Sequence, residues 1–243
     1  MNQSVCKKNV FTPAVQFFGL QIYSLIIILM GFSNPGLAAD QMSPDRILEQ
    51  ATREMVAALQ THRSEIVADN TRLYPLIEDI LLPHLDIITT SRLVLGKYWQ
   101  DASKQQKLQF IREFRNLMIR FYGTALGEYL GEHEIKNEMI RFMPLNESLD
   151  KNEITVHSEV IPPSGDKVAV YYRMQNTRNG WKVFDVTVSG VSLITTYRTS
   201  FAVEIKQKGL DGLISSLASR SDNILKANRQ KTSLAQSKQV SEQ

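Results

Sequence analysis

The sequence predicts a single α+β domain in which a curved four-stranded antiparallel sheet packs against several helices. Three observations predict this class. Apolar residues recur every three or four positions through the first half of the chain, and from about residue 139 the pattern becomes that of short strands. Helical stripes then return near the end of the chain. Helices, then a run of strands, then a closing helix are typical of an α+β fold.

The first helices are marked by their ends. Ser43-Pro44-Asp45 combines a capping hydroxyl, a first-turn proline and an acid, so it predicts a helix start, and the apolar spacing continues to about Thr61. A second helix is expected over about Arg72–Leu82, ended by Pro83, and a third over about Ile87–Tyr98.

The longest predicted helix begins after Ser103, which forms a capping box with Gln106. Its broad apolar face is made of Leu108, Ile111, Phe114, Met118, Phe121, Tyr122, Ala125 and Tyr129. Gly123, Gly127 and Gly131 recur at intervals of four. Because the helix also carries several charged residues, it is not a membrane span, and we expect the glycines to allow close approach of a neighbouring element.

Four strands are expected, at Met139–Met143, Ile154–Ile161, Val168–Met174 and Trp181–Val188. Asn179-Gly180 predicts a hairpin turn between the last two. These two strands do not alternate cleanly, which is typical of a sheet covered on both faces. After Gly190 a helical stripe begins, Gly209 is expected to end it, and a short helix follows to about Ala218.

The N-terminal residues 1–38 are typical of a cleaved secretory signal peptide. Lys7 and Lys8 precede an apolar run over residues 14–32, and the small residues of 33–39 permit cleavage after Ala38 or Ala39. An uncleaved anchor is the alternative, but the dense apolar core over residues 22–32 is short for a membrane span. The sequence therefore predicts export, with residues 39–219 as one domain and 220–243 as a polar, disordered tail.

Composition limits the functions that this chain can have. The single cysteine, Cys6, lies inside the predicted signal, so the exported chain has no thiol, which suits an oxidising compartment. Loss of Lys7 and Lys8 lowers the net charge from +3 to about +1. A charge this small gives no support for nucleic-acid binding.

Enzyme motifs are largely absent from the sequence. Ser189-Gly190-Val191-Ser192 has the wrong order for a nucleophile elbow, and no phosphate-binding glycine loop is present. The four histidines are scattered, and His133 lacks a second histidine four residues later, so no metal ligand is predicted.

Two pairs of ionisable residues have both a chemical and a structural interpretation. His84 and Asp86 could act as a base and its partner, but we favour Asp86 as the cap of the following helix. Arg173 and Asp185 lie on neighbouring predicted strands and are expected to form a structural ion pair.

Apolar and aromatic residues are the remaining feature of interest. They indicate either a filled core or a lined cavity, and periodicity cannot distinguish the two, because both present apolar faces.

Several short segments in a fixed order and spacing resemble the MlaC (toluene-tolerance) family of periplasmic phospholipid-binding proteins. They are Leu81-Leu82-Pro83, Leu95-Gly96-Lys97-Tyr98-Trp99, Phe110 with Phe114-Arg115, Gly180-Trp181, Gly190-Val191-Ser192-Leu193, and Lys208-Gly209-Leu210-Asp211-Gly212-Leu213. No single segment is specific, but their order is, and the resemblance covers about Ala39–Ala218.

The resemblance implies a monomeric carrier without catalytic activity or cofactor. Such a protein would move phospholipid between the outer and inner membranes through the periplasm and so maintain outer-membrane lipid asymmetry. Its expected partners are an outer-membrane lipoprotein–porin complex and an inner-membrane ABC-type lipid transporter complex. Acyl chains would lie in an apolar cavity between the sheet and the helices.

We predict twelve residues as the lining of that cavity and three as neighbours of the head group. The lining set is Val94, Tyr98, Trp99, Phe110, Phe114, Leu117, Met118, Val170, Tyr172, Trp181, Val183 and Val186. The head-group set is Lys97, Arg115 and Arg198, whose positive charges would attract a phosphate. Two alternatives remain at this point: an enzyme for a small apolar substrate, with an ionisable group in its pocket, and a solid domain that bridges envelope proteins.

Overall fold

Helices occupy both ends of the part of the chain that the structure describes, and the sheet lies between them in sequence. The computed structural model describes residues 42–163 and 165–241. The predicted signal peptide, 1–38, and its cleavage site therefore lie outside the described residues.

The first helix, α1 (Pro44–Thr61), begins where the sequence predicts. Pro44 occupies its first turn, but the Ser43 side chain makes no capping hydrogen bond. The fixed backbone angle of Pro44, and not a capping hydroxyl, therefore favours the start of α1 at this position. A short helix, α2 (Arg63–Ala68), follows.

The second predicted helix is a series of differently wound turns. A 3₁₀ turn (Asn70–Arg72) leads into α3 (Leu73–Leu76), then a π-helical turn (Ile77–Leu81) and a 3₁₀ turn (Leu82–His84). The π-helical turn closes with the Leu82 amide donating to the Ile77 carbonyl. Such turns are rare and occur often at functional sites.

The third predicted helix is interrupted at Gly96. The helix α4 (Ile87–Leu95) ends there because Gly96 has φ 54°, a conformation that glycine adopts without strain, and α5 (Tyr98–Asp101) follows. Asp86 caps α4, since its Oδ1 accepts from the Thr89 amide at 2.8 Å. The capping interpretation of Asp86 is therefore confirmed.

The long helix, α6 (Lys104–Glu132), has the predicted capping box between Ser103 and Gln106. Its apolar face is narrower than predicted, because Leu108 and Phe121 are more than half exposed and Tyr122 is also exposed. The side that is buried consists of Phe110, Phe114, Leu117, Ile119, Gly123, Gly127 and Leu130.

Two of the three glycines on α6 allow a close approach, as expected. A Cβ on Gly123 would lie 3.0 Å from the Tyr74 ring, and a Cβ on Gly127 would lie 2.5 Å from Oδ1 of Asn70. Gly131 has nothing within 4 Å of that position, so for this residue the expectation is wrong.

Among the residues that the structure describes, the sheet has five antiparallel strands in sequence order, one more than predicted. They are β1 (Ile140–Phe142), β2 (Glu153–Val160), β3 (Val168–Thr177), β4 (Gly180–Val188) and β5 (Val191–Ser192). The fifth strand has only two residues, which is too short for a periodic signal in the sequence.

A β-bulge on β4 explains why this strand does not alternate. Arg173 pairs with Asp185 and Met174 pairs with Val183, so Phe184 has no partner on β3. The extra residue lets Val183 and Phe184 be buried in different clusters, and bulges commonly redirect a side chain in this way. The expected pair of Arg173 and Asp185 is present, with Nη1 and Oδ2 3.8 Å apart.

The last helix, α7 (Leu193–Ser241), is longer than predicted. Gly209 has non-helical backbone angles (φ 73°, ψ 176°) and divides it into two helices that meet at a kink, so the predicted break is confirmed. The second helix extends past the expected end near Ala218 to Ser241. The expectation of a disordered tail over 220–243 is corrected by this helix, which continues through Ser241. Ser221 and Asn228 are buried against the domain, so tertiary contacts order a segment whose composition is polar.

Three apolar clusters form the core. The first joins α4, α6 and α7 around Phe110, Phe114 and Phe201. The second packs Leu48 of α1 against one face of the sheet at Trp181. The third joins α1, α2, α3 and the C-terminal part of α6.

Candidate functional site

An apolar cavity of about 160 Å³ lies beside β4, among α4, α6 and α7. It is lined by Leu85, Ile87, Thr90, Val94, Phe114, Met118, Tyr122, Val183, Phe184, Asp185, Val186, Leu193, Ile194 and Tyr197. We call it the strand cavity.

Local structure directs these side chains inward. Phe114, Met118 and Tyr122 recur every four residues, so they lie along one side of α6. The bulge on β4 brings Phe184 into the lining beside Val183. Leu85 forms an isolated parallel bridge with Val183, and this places the segment before α4 along β4.

A second apolar cavity of about 210 Å³ adjoins the first, and we call it the helix cavity. It is lined by Ile77, Leu81, Leu82, Leu85, Ile87, Arg115, Met118, Ile119, Tyr122 and Leu126. Leu85, Ile87, Met118 and Tyr122 line both cavities, so these side chains separate the two spaces.

Few polar groups face the strand cavity. The hydroxyls of Tyr122 and Tyr197 lie 3.4 Å apart and join α6 to α7. Burial, together with the Tyr122 hydroxyl, raises the pKa of Tyr197, so its phenol is neutral near neutral pH. The Thr90 hydroxyl lies 2.8 Å from the carbonyl oxygens of Asp86 and Phe184 and is thus satisfied by the backbone.

Asp185 is the one carboxylate of this lining, and its oxygens have structural partners. Oδ2 accepts from the Ser192 hydroxyl at 2.8 Å, and Oδ1 accepts from the Ile194 amide at 3.2 Å. The carboxylate therefore lies at the start of α7, with Oδ2 3.8 Å from Nη1 of Arg173. Asp185 is therefore a helix cap and a member of an ion pair.

Arg115 is the one cationic residue in the lining of the helix cavity. Its Nη2 lies 3.0 Å from Oε1 of Glu78, and the Arg115 and Glu78 side chains are 30% and 43% exposed. A guanidinium that is partly exposed beside an apolar space can contact an anionic group at the surface while its stem contacts hydrocarbon.

The structure brings five of the twelve predicted lining residues to the strand cavity: Val94, Phe114, Met118, Val183 and Val186. Phe110 and Leu117 are buried in the first core cluster, where Tyr98 and Trp99 pack against it. Trp181 is buried in the second cluster, where Tyr172 packs against it, and Val170 is buried on β3. These seven residues line neither cavity.

Of the three predicted head-group residues, Arg115 alone lines a cavity. The Arg198 Nε donates to the Leu93 carbonyl at 2.7 Å, and its stem lies against Gly96. Lys97 is exposed, with Nζ 5.2 Å from the centre of the Tyr98 ring.

Sequence reasoning missed part of the lining. Leu85, Ile87, Leu193 and Ile194 line the strand cavity but lie at helix starts, where no full apolar period exists. Tyr197 could have been found, because it is four residues before Phe201 on a helical stripe.

Asp86, the other carboxylate considered as a partner in acid–base catalysis, also accepts hydrogen bonds at both of its oxygens. It accepts from the Thr89 amide and hydroxyl and from the Gln175 amide. Burial and the nearby Lys182 lower the pKa of His84, so this imidazole is neutral near neutral pH. Within residues 42–163 and 165–241, His, Cys, Asp and Glu side chains form no group of three or more that could hold a metal ion.

The helices that the structure describes include none with the length and apolar content needed to cross a bilayer. Fold and site together define a class: an α+β domain with adjoining apolar cavities between its helices and one strand of its sheet. Residues 49–219, which are 171 of the 243 residues of the chain, match the model of the MlaC protein family, so the chain belongs to that family.

Relatives and a solved structure agree with this assignment. The chain is 26% identical to the intermembrane phospholipid transport system binding protein MlaC of Haemophilus influenzae, over 79% of this chain and 89% of that protein. It is 26% identical to the toluene tolerance protein ttg2D of Pseudomonas putida, over 77% of this chain and 83% of that one. A phospholipid-binding protein from Ralstonia solanacearum, solved in complex with a phospholipid, superposes with a TM-score of 0.65 at 26% identity, covering 74% and 97% of the two chains.

Proposed function

We propose that this protein is a periplasmic carrier that binds phospholipid acyl chains in its two apolar cavities and moves the lipid between the outer and inner membranes. The observation that carries the proposal is the pair of adjoining apolar cavities, in a chain whose fold is similar to a protein solved with phospholipid bound. The carboxylate beside the strand cavity, Asp185, serves as a helix cap and an ion-pair partner, and the proposed activity is binding without catalysis.

The cavities must widen to admit a lipid. Typical ligand pockets measure about 300–1,000 Å³, whereas these two spaces measure about 160 and 210 Å³. Met118 and Tyr122 lie between them, and a methionine side chain adapts easily to a new shape. Movement of these side chains would join the two spaces into one pocket.

Arg115 is the best-placed residue for the head group. It lies at the helix cavity and is partly exposed, so it could contact a phosphate while the acyl chains enter the cavity. The phosphate would have to replace Glu78 as its partner, which makes this carboxylate a competitor for the arginine. Lys97 and Arg198, which line neither cavity, are left out of this proposal.

Energetics require that transfer occur at a docked membrane partner. Two acyl chains contain on the order of 30 methylenes, each worth about 0.8 kcal/mol out of water. The total of about 24 kcal/mol exceeds the ceiling of about 18–21 kcal/mol for non-covalent affinities. Release into water is therefore negligible, and we propose docking to an outer-membrane lipoprotein–porin complex and to an inner-membrane ABC-type transporter complex.

A transfer assay tests the carrier activity. Donor vesicles that contain a labelled phospholipid are separated from unlabelled acceptor vesicles by a porous filter. The protein passes through the pores, and the vesicles do not. We expect label to reach the acceptors in proportion to the amount of protein added. Label that stays in the donors at every protein concentration would contradict the proposal.

The predicted signal peptide supports a periplasmic location for this carrier, and N-terminal sequencing of the protein recovered from a Gram-negative envelope tests that location. A mature chain that begins at Ala39 or Asp40 supports export with cleavage. A chain that retains Met1 would contradict it.

A further inference from the structure

The C-terminal extension, residues 220–241, lies beyond the part of the chain that matches the family, which ends at residue 219. The extension is nevertheless a continuation of α7 and is held against the domain by specific contacts. Two polar residues of the extension are buried, Ser221 at 1% and Asn228 at 3% exposure, and Asn228 contacts α3.

Asn228 joins three elements through a closed group of hydrogen bonds. Its Nδ2 donates to Tyr74 Oη in α3 and to Thr124 Oγ1 in α6, each at 2.7 Å. The two hydroxyl oxygens are themselves 3.1 Å apart. A side-chain amide has two N–H donors, so both are used here, and the extension is tied at one point to both α3 and α6.

Tyr74 connects this point to the wall of the helix cavity. It lies in α3, which continues directly into the π-helical turn Ile77–Leu81. Ile77 and Leu81 of that turn line the helix cavity. The Tyr74 ring and Ile77 both rest against Gly123 of α6, at 3.0 and 3.1 Å from where a Cβ would lie.

The position of the cavity wall therefore depends on how Tyr74 is held. On one side Tyr74 packs against a glycine, and on the other its hydroxyl accepts from Asn228. Of the other contacts of the extension, the Ser221 hydroxyl accepts from Arg120 of α6 at 2.9 Å, which does not involve α3 or the π-helical turn. The pair of Lys231 and Glu128 is more than half exposed and contributes little.

We propose that Asn228 is a positioning residue for the lipid-binding site: through Tyr74 it holds the π-helical wall of the helix cavity in its narrow form and so slows lipid exchange. This inference rests on the proposed function, because it names a residue that controls the same cavities. Loss of the Asn228 amide leaves the Tyr74 and Thr124 hydroxyls bonded only to each other and frees them from the extension, and the wall then opens more often.

The test compares Asn228→Ala, Tyr74→Phe, the double variant and the control Lys231→Ala. Full-length protein is loaded with a labelled phosphatidylglycerol, and its release to vesicles of phosphatidylethanolamine and phosphatidylglycerol is followed over time. We expect release to be about tenfold faster in each single variant. The double variant should be no faster than the singles, because both remove the same contact. Lys231→Ala should stay within about twofold of the parent.

Hydrogen exchange on the lipid-free proteins provides a second measurement. Amides of residues 73–81 should exchange about tenfold faster in Asn228→Ala and Tyr74→Phe, while those of the sheet keep the parent rate. Tyr74→Phe keeps the ring against Gly123, so it tests the same contact if Asn228→Ala does not fold. A lower melting temperature with unchanged release, or additive effects in the double variant, would overturn the inference.

The two proposals fail in different ways. If the parent protein takes up no phospholipid, the proposed function is wrong, while exchange at residues 73–81 still reports whether Asn228 holds the wall. If the parent carries lipid and the Asn228 and Tyr74 variants release it at the parent rate, only the positioning role is wrong.

Discussion

Replacing Met118 with a larger residue should raise the stability of the lipid-free protein and lower its capacity for lipid. Met118 lines both cavities, so a bulkier side chain there can enter space that is now empty. An empty apolar cavity lowers the free energy of unfolding by about 24 cal/mol per Å³. On that scale the 210 Å³ helix cavity corresponds to about 5 kcal/mol. An indole that fills about a third of it should recover about 1–2 kcal/mol.

This gain should be visible in thermal unfolding. For a domain of about 150–250 residues, 1 kcal/mol shifts the melting temperature by about 2–4 °C. We therefore expect lipid-free Met118→Trp to melt about 3–6 °C above the parent. Each methylene that the indole excludes costs about 0.8 kcal/mol, so the loss of two or three should weaken lipid retention about 15- to 60-fold.

Leu117 provides the matched control, because it neighbours Met118 on α6 but is buried in the first core cluster. Leu117→Trp should overpack that cluster and destabilise the protein by about 1–3 kcal/mol. Opposite shifts in melting temperature for the two variants would support a cavity at Met118. Equal destabilisation of both, with the lipid content of Met118→Trp unchanged, would refute the reasoning.

Three further predictions concern the head group, the helix contact and the buried phenol. Arg115→Gln should speed lipid release about two- to tenfold by removing a charged contact, and Glu78→Gln should slow it by freeing Arg115, as followed with labelled lipid. Gly127→Ala should destabilise the protein by about 1–3 kcal/mol because its Cβ would overlap a neighbouring side chain, whereas Gly131→Ala, which has open space, should stabilise it by up to about 1 kcal/mol in chemical denaturation. Burial raises the pKa of Tyr197 in the folded state, so the neutral phenol contributes fully to stability below pH 10.0, and this contribution is lost as the pH rises further. Tyr197→Phe should therefore flatten the dependence of the unfolding free energy on pH above 10.0. An unchanged dependence would contradict the burial of that phenol.

Local signals explain which parts of the fold could be predicted from sequence. The start of α6 was correct because the capping box of Ser103 and Gln106 lies within four residues. The interruption at Gly96 and the short fifth strand were missed, because each depends on one or two residues without a period.

The extension was predicted wrongly for a physical reason. Its composition is polar, but Asn228 bonds to residues more than a hundred positions away in sequence. A polar composition indicates that a segment has few apolar residues to bury. It does not show which hydrogen-bond partners the folded domain brings close to that segment.

The site was predicted in part, and the errors have one cause. Phe110 and Phe114 share a face of α6, yet Phe114 lines the strand cavity while Phe110 does not. Periodicity identifies which side of a helix faces inward, but the empty volume depends on how neighbouring elements meet. The bulge at Phe184 also changed which residues of β4 reach the cavity.

Denaturing mass spectrometry of the protein purified from Gram-negative cells, after organic extraction, tests the central claim most directly. If the cavities beside β4 and α6 hold acyl chains, phospholipid should be recovered in stoichiometric amounts from the parent and in reduced amounts from Met118→Trp. Parent protein that yields no phospholipid, from cells whose membranes supply it in excess, would contradict the claim.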